Sequence, residues 1–185
     1  MGEWMLEDML LAAGLNRGEQ DALRRIYQKY KPDLSRIAAA LLRDRGDVED
    51  VLHEVFVGLA GQAGRLTVRG SLKAYLAVSV ANQARDYNRR RQRHPAAALP
   101  DEPLADRRAP RPAGGVEHDE LARVLAEAMG RLPDEQREVI VLRLQGGLRF
   151  RQIARSQGMS LSTVKGRYRY GLGQLRKLLN GVMEP

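Results

Sequence analysis

The sequence predicts an all-α protein made of two small helical domains joined by a flexible linker. Three observations predict it. Apolar residues recur at the i, i+3, i+4 spacing of helices in both halves, and no alternating strand pattern occurs. The stretch from His94 to Val116 breaks that spacing with five prolines and few large apolar residues, so it cannot bury enough surface to offset its ordering entropy. With 185 residues, 43% apolar and 29% charged, the chain has the balance of a globular protein and the length for two small cores. We place the domains at residues 1–93 and 119–185 and the linker at 94–118.

The elements follow in order. Ala22, Leu23, Ile26, Tyr27 and Tyr30 line one face of a first amphipathic helix. Pro32 suits the first turn of a second helix, which carries Leu34, Ile37, Ala38 and Leu41 inward. Gly46 and Asp47 predict a turn and an N-cap. A third stripe comes next, with Val48, Val51, Leu52, Val55, Phe56 and Leu59. Gly70 and Ser71 open a fourth helix, with Leu72, Tyr75, Leu76 and Val80 inside, and it runs into an arginine cluster before Pro95. Beyond the linker, Leu121, Val124, Leu125, Ala128 and Leu132 form one stripe. Pro133 starts a helix with Val139, Ile140 and Leu144 that ends at Gly146 and Gly147. A short helix, Phe150 to Ser156, is followed by a turn at Gly158, Met159 and Ser160. The last helix is expected to bury Val164, Tyr168, Leu172, Leu175 and Leu179.

Charge is uneven along the chain. The net charge is +8, which suggests a polyanionic partner. From Val139 to Met183 there are nine Lys or Arg and no acid, and Arg85 to Arg93 holds five Arg against Asp86 alone. Asp44 to Glu54 instead holds five acids and one Arg. Two basic segments and one acidic helix suggest at least two kinds of partner. The chain lacks cysteine, which excludes disulfides and thiolate metal sites. No apolar run approaches the ~18 residues that span a membrane. Met1 to Asp8 has acids and no basic run, so it does not read as a signal peptide. Asp50, His53 and Glu54 share a helix face, but no HExxH pattern completes a metal site there. Gly171 and Gly173 follow no strand and make no dinucleotide loop. No nucleophile, catalytic carboxylate pair or phosphate loop stands out, so no enzyme activity and no cofactor are expected.

A short helix, a Gly-containing turn and a longer helix make a helix-turn-helix, whose second helix enters the major groove by its N-terminal end. Here that end is SLSTVKGRYRY, Ser160 to Tyr170. Ser160 is placed to cap it, and Leu161 and Val164 face the shorter helix. Ser162, Thr163, Lys165, Gly166, Arg167 and Arg169 are left toward the exposed side, where cations and hydroxyls suit base edges and phosphates. Gly166 costs about 1 kcal/mol of helix stability; close approach to DNA accounts for it, and so does a tight crossing with another helix. A basic αα-hairpin has the same layout without binding DNA, but the acid-free stretch favours nucleic acid.

Leu132 to Leu179 (LPDEQREVIVLRLQGGLRFRQIARSQGMSLSTVKGRYRYGLGQLRKLL) resembles region 4 of the bacterial RNA polymerase sigma-70 family, and is most similar to its extracytoplasmic-function (group 4) members. Arg17 to Ala60 is similar to regions 2.1 and 2.2, and Gly70 to Arg93 to regions 2.3 and 2.4. The resemblance implies a sigma factor that binds core RNA polymerase and directs promoter-specific initiation. It implies that the acidic helix docks on the polymerase, with Asp47, Asp50, Val51, His53, Glu54 and Phe56 as contacts. It implies that Asn82 holds a flipped base of the −10 element, with Arg85, Asp86, Arg89 and Arg90 beside it, and that the helix-turn-helix reads the −35 element. An anti-sigma factor is a common partner in the group. The chain departs from the family where His53 replaces glutamine, Gln152 replaces glutamate, Gly166 replaces serine and Tyr75 replaces tryptophan. The other readings are a stand-alone helix-turn-helix regulator, which has no need of an acidic docking helix, and an RNA-binding or structural basic protein.

Overall fold

A computed structural model of the chain describes residues 3–68, 71–93 and 116–183. Eight α-helices follow one another there: α1 Glu3–Asn16, α2 Gln20–Leu41, α3 Val48–Ala60, α4 Leu72–Arg93, α5 Val116–Gly130, α6 Asp134–Leu144, α7 Phe150–Gln157 and α8 Leu161–Met183. Helices α2, α3 and α4 pack on one another, with α1 laid against α2 and α4, and α8 packs on α5, α6 and α7.

In the first half, buried Leu11, Ala12 and Leu15 of α1 join Ile26, Leu34, Ile37, Val51, Leu52, Leu59, Leu76 and Val80 in one core. Helix α1 carries no periodic signal, because its apolar residues run almost all round the helix rather than along one stripe. Helix α2 is also longer than expected. Pro32 does not start a new helix; it lies inside one continuous helix of 22 residues. The missing N–H strands the carbonyl of Gln28, and both Pro32 and Gln28 lie on the exposed side, where water serves as a partner. The expected N-cap also shifts. Asp47 makes no capping bond to α3. Asp44 caps a 3-10 turn over Arg45–Asp47 by accepting from Gly46 N–H at 2.8 Å. Helix α4 begins at Leu72, and its expected first residue, Gly70, lies outside the described residues.

In the second half, α6 contributes Val139, Ile140, Val141 and Leu142, α7 Ile153 and Ala154, and α8 Val164 and Leu175 to buried positions. Three expected inward residues point outward instead: Leu121, Leu125 and Leu144 are all exposed. Helix α5 turns its Val124–Ala128 line inward and packs on α8, which leaves the 121–125 line outside. Leu172 is likewise exposed, because Gly171 occupies the crossing of α8 with α6. Of the stretch Met1 to Asp8, only Met1 and Gly2 lie outside the described residues, and from Glu3 onward it forms the start of α1. Most of the expected linker lies outside the described residues, although residues 116–118 already belong to α5.

The two halves touch. Helix α6 packs against α2 and α4, and Val139, Val141, Leu142 and Leu148 belong to the same apolar cluster as Ala77, Val80 and Leu41. A Cβ added at Gly146, just past α6, would lie 3.2 Å from that of Ala77 on α4. Around this apolar contact runs a polar fringe. Arg43 pairs with Asp134 at 3.1 Å, and Arg137 donates to the carbonyl of Leu41 at 3.5 Å. A cleft of about 600 Å³ opens beside them, lined by Leu42, Arg43, Leu132 and Pro133 among others.

Candidate nucleic-acid interface

The helix-turn-helix is α7, the turn 158–160 and α8. The turn depends on Gly158, which ends α7 in the left-handed region at φ 63°, where a side chain is strained. Met159 N–H donates to Ala154 at 2.9 Å and closes the helix end. Ser160 then caps α8: its hydroxyl accepts from Thr163 N–H at 3.1 Å. At the start of α7 the backbone N–H of Arg149 donates to Gln152 Oε1 at 2.7 Å. A neutral amide thus performs the capping that a glutamate would perform there. Phe150 meets Tyr168 edge to face, with ring centroids 5.0 Å apart, and this contact with buried Val164 locks α8 against α7.

The named residues of α8 lie where the sequence expected them. Ser162, Thr163, Lys165 and Arg169 are exposed, and Gly166 and Arg167 are half-buried. The hydroxyls of Ser162 and Thr163 each lie 2.8 Å from that of Ser160. Arg167 donates to Met159 Sδ at 3.0 Å, which draws it back toward the turn. Nothing lies within 4 Å of a Cβ built at Gly166, so no helix crossing demands glycine there. Three more cations, Arg149, Arg151 and Arg155, stand exposed on or just before α7. Sequence reasoning passed over them because it followed only the second helix. Counting charge on both helices would have found them.

On α4 the buried line is Leu72, Leu76, Ala77, Val80, Ala81 and Ala84. The opposite face carries Asn82, Arg85, Asp86, Arg89 and Arg90, all exposed save half-buried Asp86. Arg89 pairs with Asp86 at 2.8 Å, and Arg85 Nη1 donates to Asn82 Oδ1 at 3.4 Å. Arg85 also reaches across to Glu138 on α6 at 2.5 Å. Two residues of the same helix have internal work instead. Asn88 donates to Leu41 O at 2.9 Å and accepts from Arg43 N–H, which satisfies the end of α2. Arg91 bridges Asp44 at 2.6 Å and Asp47 at 3.1 Å.

The acidic helix α3 has two faces. Asp50, His53 and Glu54 are exposed together. Val51 is fully buried, Phe56 is buried against Tyr27 at 4.8 Å, and Asp47 is buried beside Arg91. These three therefore cannot serve as surface contacts in this arrangement. They are the inward line 51, 52, 55, 56, 59 of an amphipathic helix and its buried approach. The exposed apolar residue next to the acids is Val57, 53% exposed and two turns from Asp50. The i, i+3, i+4, i+7 spacing from Asp50 would have picked it out. Burial pushes the Asp47 carboxyl up, whereas the Gly46 N–H and the Arg91 guanidinium hold that of Asp44 down. Among the described residues no three acids or histidines converge as a metal site. No described helix is long and apolar enough to cross a membrane.

Among the described residues, an all-helical fold that carries a capped helix-turn-helix and a separate basic, amide-bearing helical face belongs to the class of helical DNA-binding proteins. The comparisons with known proteins carry this to a family. Residues 26–94 match sigma-70 region 2, and residues 128–177 match sigma-70 region 4. The chain is 30% identical over 171 residues to the ECF RNA polymerase sigma factor SigM of Mycobacterium tuberculosis, covering 92% of this chain and 83% of SigM. It is 30% identical over 165 residues to the RNA polymerase sigma factor CarQ of Myxococcus xanthus, covering 88% and 91%. Its fold is similar to that of CnrH in complex with the cytosolic domain of CnrY, with TM-score 0.68, 26% identity and coverage of 94% and 97%. A similar fold occurs in the sigma factor RpoE of Bartonella quintana, solved with the anti-sigma factor NepR, with TM-score 0.68, 21% identity and coverage of 85% and 96%. The chain belongs to the extracytoplasmic-function sigma factors of the sigma-70 family.

Proposed function

We propose that this sigma factor engages its targets through three separate surfaces. Asp50, His53 and Glu54 of α3, flanked by Val57, dock on core RNA polymerase. Asn82, Arg85, Asp86, Arg89 and Arg90 on α4 hold the opened −10 element, the amide pairing with a base edge and the cations with phosphates. Ser162, Thr163, Lys165, Gly166, Arg167 and Arg169 on α8 read the −35 element, with Arg149, Arg151 and Arg155 on its backbone. The observation that carries this reading is the segregation of charge: an acidic exposed face on α3 and basic exposed faces on α4, α7 and α8, in the family's order. A stand-alone regulator leaves the region 2 match and the α3 face unexplained. The division into units at 1–93 and 119–185 is part of this proposal, as are a cytoplasmic location and a protein anti-sigma regulator. The polymerase supplies the phosphodiester chemistry, and the chain none.

Reconstitution with bacterial core polymerase on a genomic promoter library tests the reading. The expected result is a new set of start sites sharing a −35 and a −10 motif. Arg167→Ala is expected to weaken duplex −35 binding more than −10 opening. A protein that neither pulls down core nor redirects it to new start sites would not be acting in this way.

A further inference from the structure

Of the three cations in the first half of α8, one is drawn inward. Lys165 and Arg169 are exposed, whereas Arg167 is half-buried. Arg167 Nη1 donates to Met159 Sδ at 3.0 Å, and among the described residues its guanidinium has no other hydrogen bond or ion pair. The two residues are eight positions apart, about 12 Å at helical rise, so each side chain extends toward the other. Met159 itself is fixed. Gly158 sets the turn at φ 63°, the Met159 N–H donates to Ala154 O at 2.9 Å, and the side chain packs against the apolar core. The sulfur is an anchored acceptor.

A thioether is a weak and uncharged acceptor. It orients a guanidinium without neutralising it. A carboxylate in the same place would hold the group by charge and compete with DNA for it, and no acid occurs from Val139 to Met183. The sulfur engages one N–H of Nη1. The edge formed by Nε and Nη2 keeps two parallel donors, the pattern that pairs with O6 and N7 of guanine. A mobile arginine gives up rotamer freedom when it binds, whereas a held one has given it up on folding. The contact also draws the guanidinium toward the N-terminal end of α8, the end that enters a major groove.

We propose that Met159 is a positioning residue for −35 readout: its sulfur holds Arg167 so that the Nε–Nη2 edge meets a guanine. Without that hold the same guanidinium is free to turn to a phosphate, which carries no sequence information. The specificity of α8 at one base pair thus depends on a side chain in the turn that precedes it. This rests on reading α8 as the −35 helix; the contact between Met159 and Arg167 does not.

The test uses holoenzyme assembled from bacterial core polymerase and the full-length chain. It is bound to a promoter taken from the start-site mapping, with the −35 element randomised, and the bound and unbound fractions are sequenced. The wild type is expected to prefer guanine at one or more positions, and Arg167→Ala to abolish one of those preferences. Met159→Leu conserves apolar volume and removes the acceptor. It is expected to reduce that same preference about fivefold, with the other positions and the melting temperature unchanged. In the Arg167→Ala background, Met159→Leu is expected to change nothing further. A loss spread over all positions, or an equal loss with and without Arg167, is what packing alone would produce and overturns the positioning role. A guanine preference that Arg167→Ala abolishes and Met159→Leu leaves intact overturns it too, with the −35 reading untouched. If Arg167→Ala weakens all sequences alike, Arg167 is a phosphate contact and the base-directed hold is refuted. A wild-type holoenzyme with no −35 preference at all removes the −35 reading itself, and this inference with it.

Discussion

Asp8 of α1 and Leu72, the first residue of α4, are joined by a hydrogen bond of 2.9 Å from the Leu72 N–H to Asp8 Oδ2. The carboxylate thus caps a helix that begins far along the chain. Its other oxygen accepts from Lys29 at 3.1 Å and from the Tyr30 hydroxyl. Asp8 is buried, so its loss leaves a backbone N–H and a phenol without partners. Asp8→Asn is expected to destabilise the protein by about 2–4 kcal/mol, and Tyr30→Phe by about 1–2 kcal/mol. Urea denaturation of the full chain checks this. A cost below that of Tyr30→Phe would show that the cap is dispensable.

This tie also marks what a sequence can and cannot display. The amphipathic stripes of α2, α3 and α4 and the helix-turn-helix were legible because apolar spacing and turn glycines are local signals. Helix α1 was not, since its value lies in a partner 64 positions away. The same holds for function. The exposed line of α8 was readable from Ser160 onward. On α3 the apolar stripe already assigns Val51 and Phe56 to the inward face, and their burial agrees with the stripe rather than with the contact set that the resemblance implies. The contact between Arg85 and Glu138 left no trace, because it depends on how two separately readable halves meet.

Arginines in the α4 cluster are expected to divide by role. Arg91 spans Asp44 and Asp47 and ties the entry of α3 to α4. Arg89 pairs with its own helix neighbour Asp86 at 2.8 Å and is mostly exposed. Arg91→Ala is expected to lower the melting temperature by several degrees, at a cost of about 1–2 kcal/mol. Arg89→Ala is expected to leave it within a degree or two and to weaken single-stranded DNA binding. Thermal unfolding beside a DNA titration separates the two, and equal thermal losses would remove the distinction.

Stability is expected to fall in acid because of Asp33 and Asp44. Burial raises the Asp33 carboxyl, but Lys73 and Arg36 together outweigh it and hold the group below its ordinary 3.8. Gly46 N–H, with Arg91, holds Asp44 down. Below 3.8 the unfolded chain takes up protons that the native carboxylates still refuse, so native stability is lost as pH falls through their folded values. Asp47 works the other way: burial raises its value, and its charge opposes folding at neutral pH. Asp44→Asn is expected to flatten the acid limb of a stability profile between about pH 2 and 5. A limb as steep as the wild type's would assign the acid sensitivity elsewhere.

Two glycines of α8 are expected to respond in opposite directions. At Gly171 a Cβ would fall 2.8 Å from Ile140 Cδ1 and 3.1 Å from Gln136 Cβ, inside the crossing of α8 and α6. Gly171→Ala is expected to cost about 1–3 kcal/mol by overpacking. At Gly166 the space is open, so Gly166→Ala is expected to stabilise the helix by about 0.5–1 kcal/mol. What glycine supplies at 166 must then lie outside the free protein, and close approach of DNA to the helix backbone is the reason consistent with its place on the reading face. The decisive comparison is duplex binding by Gly166→Ala against its stability. A gain in both would mean that the DNA never comes near position 166, whereas a more stable but weaker binder places the groove wall there.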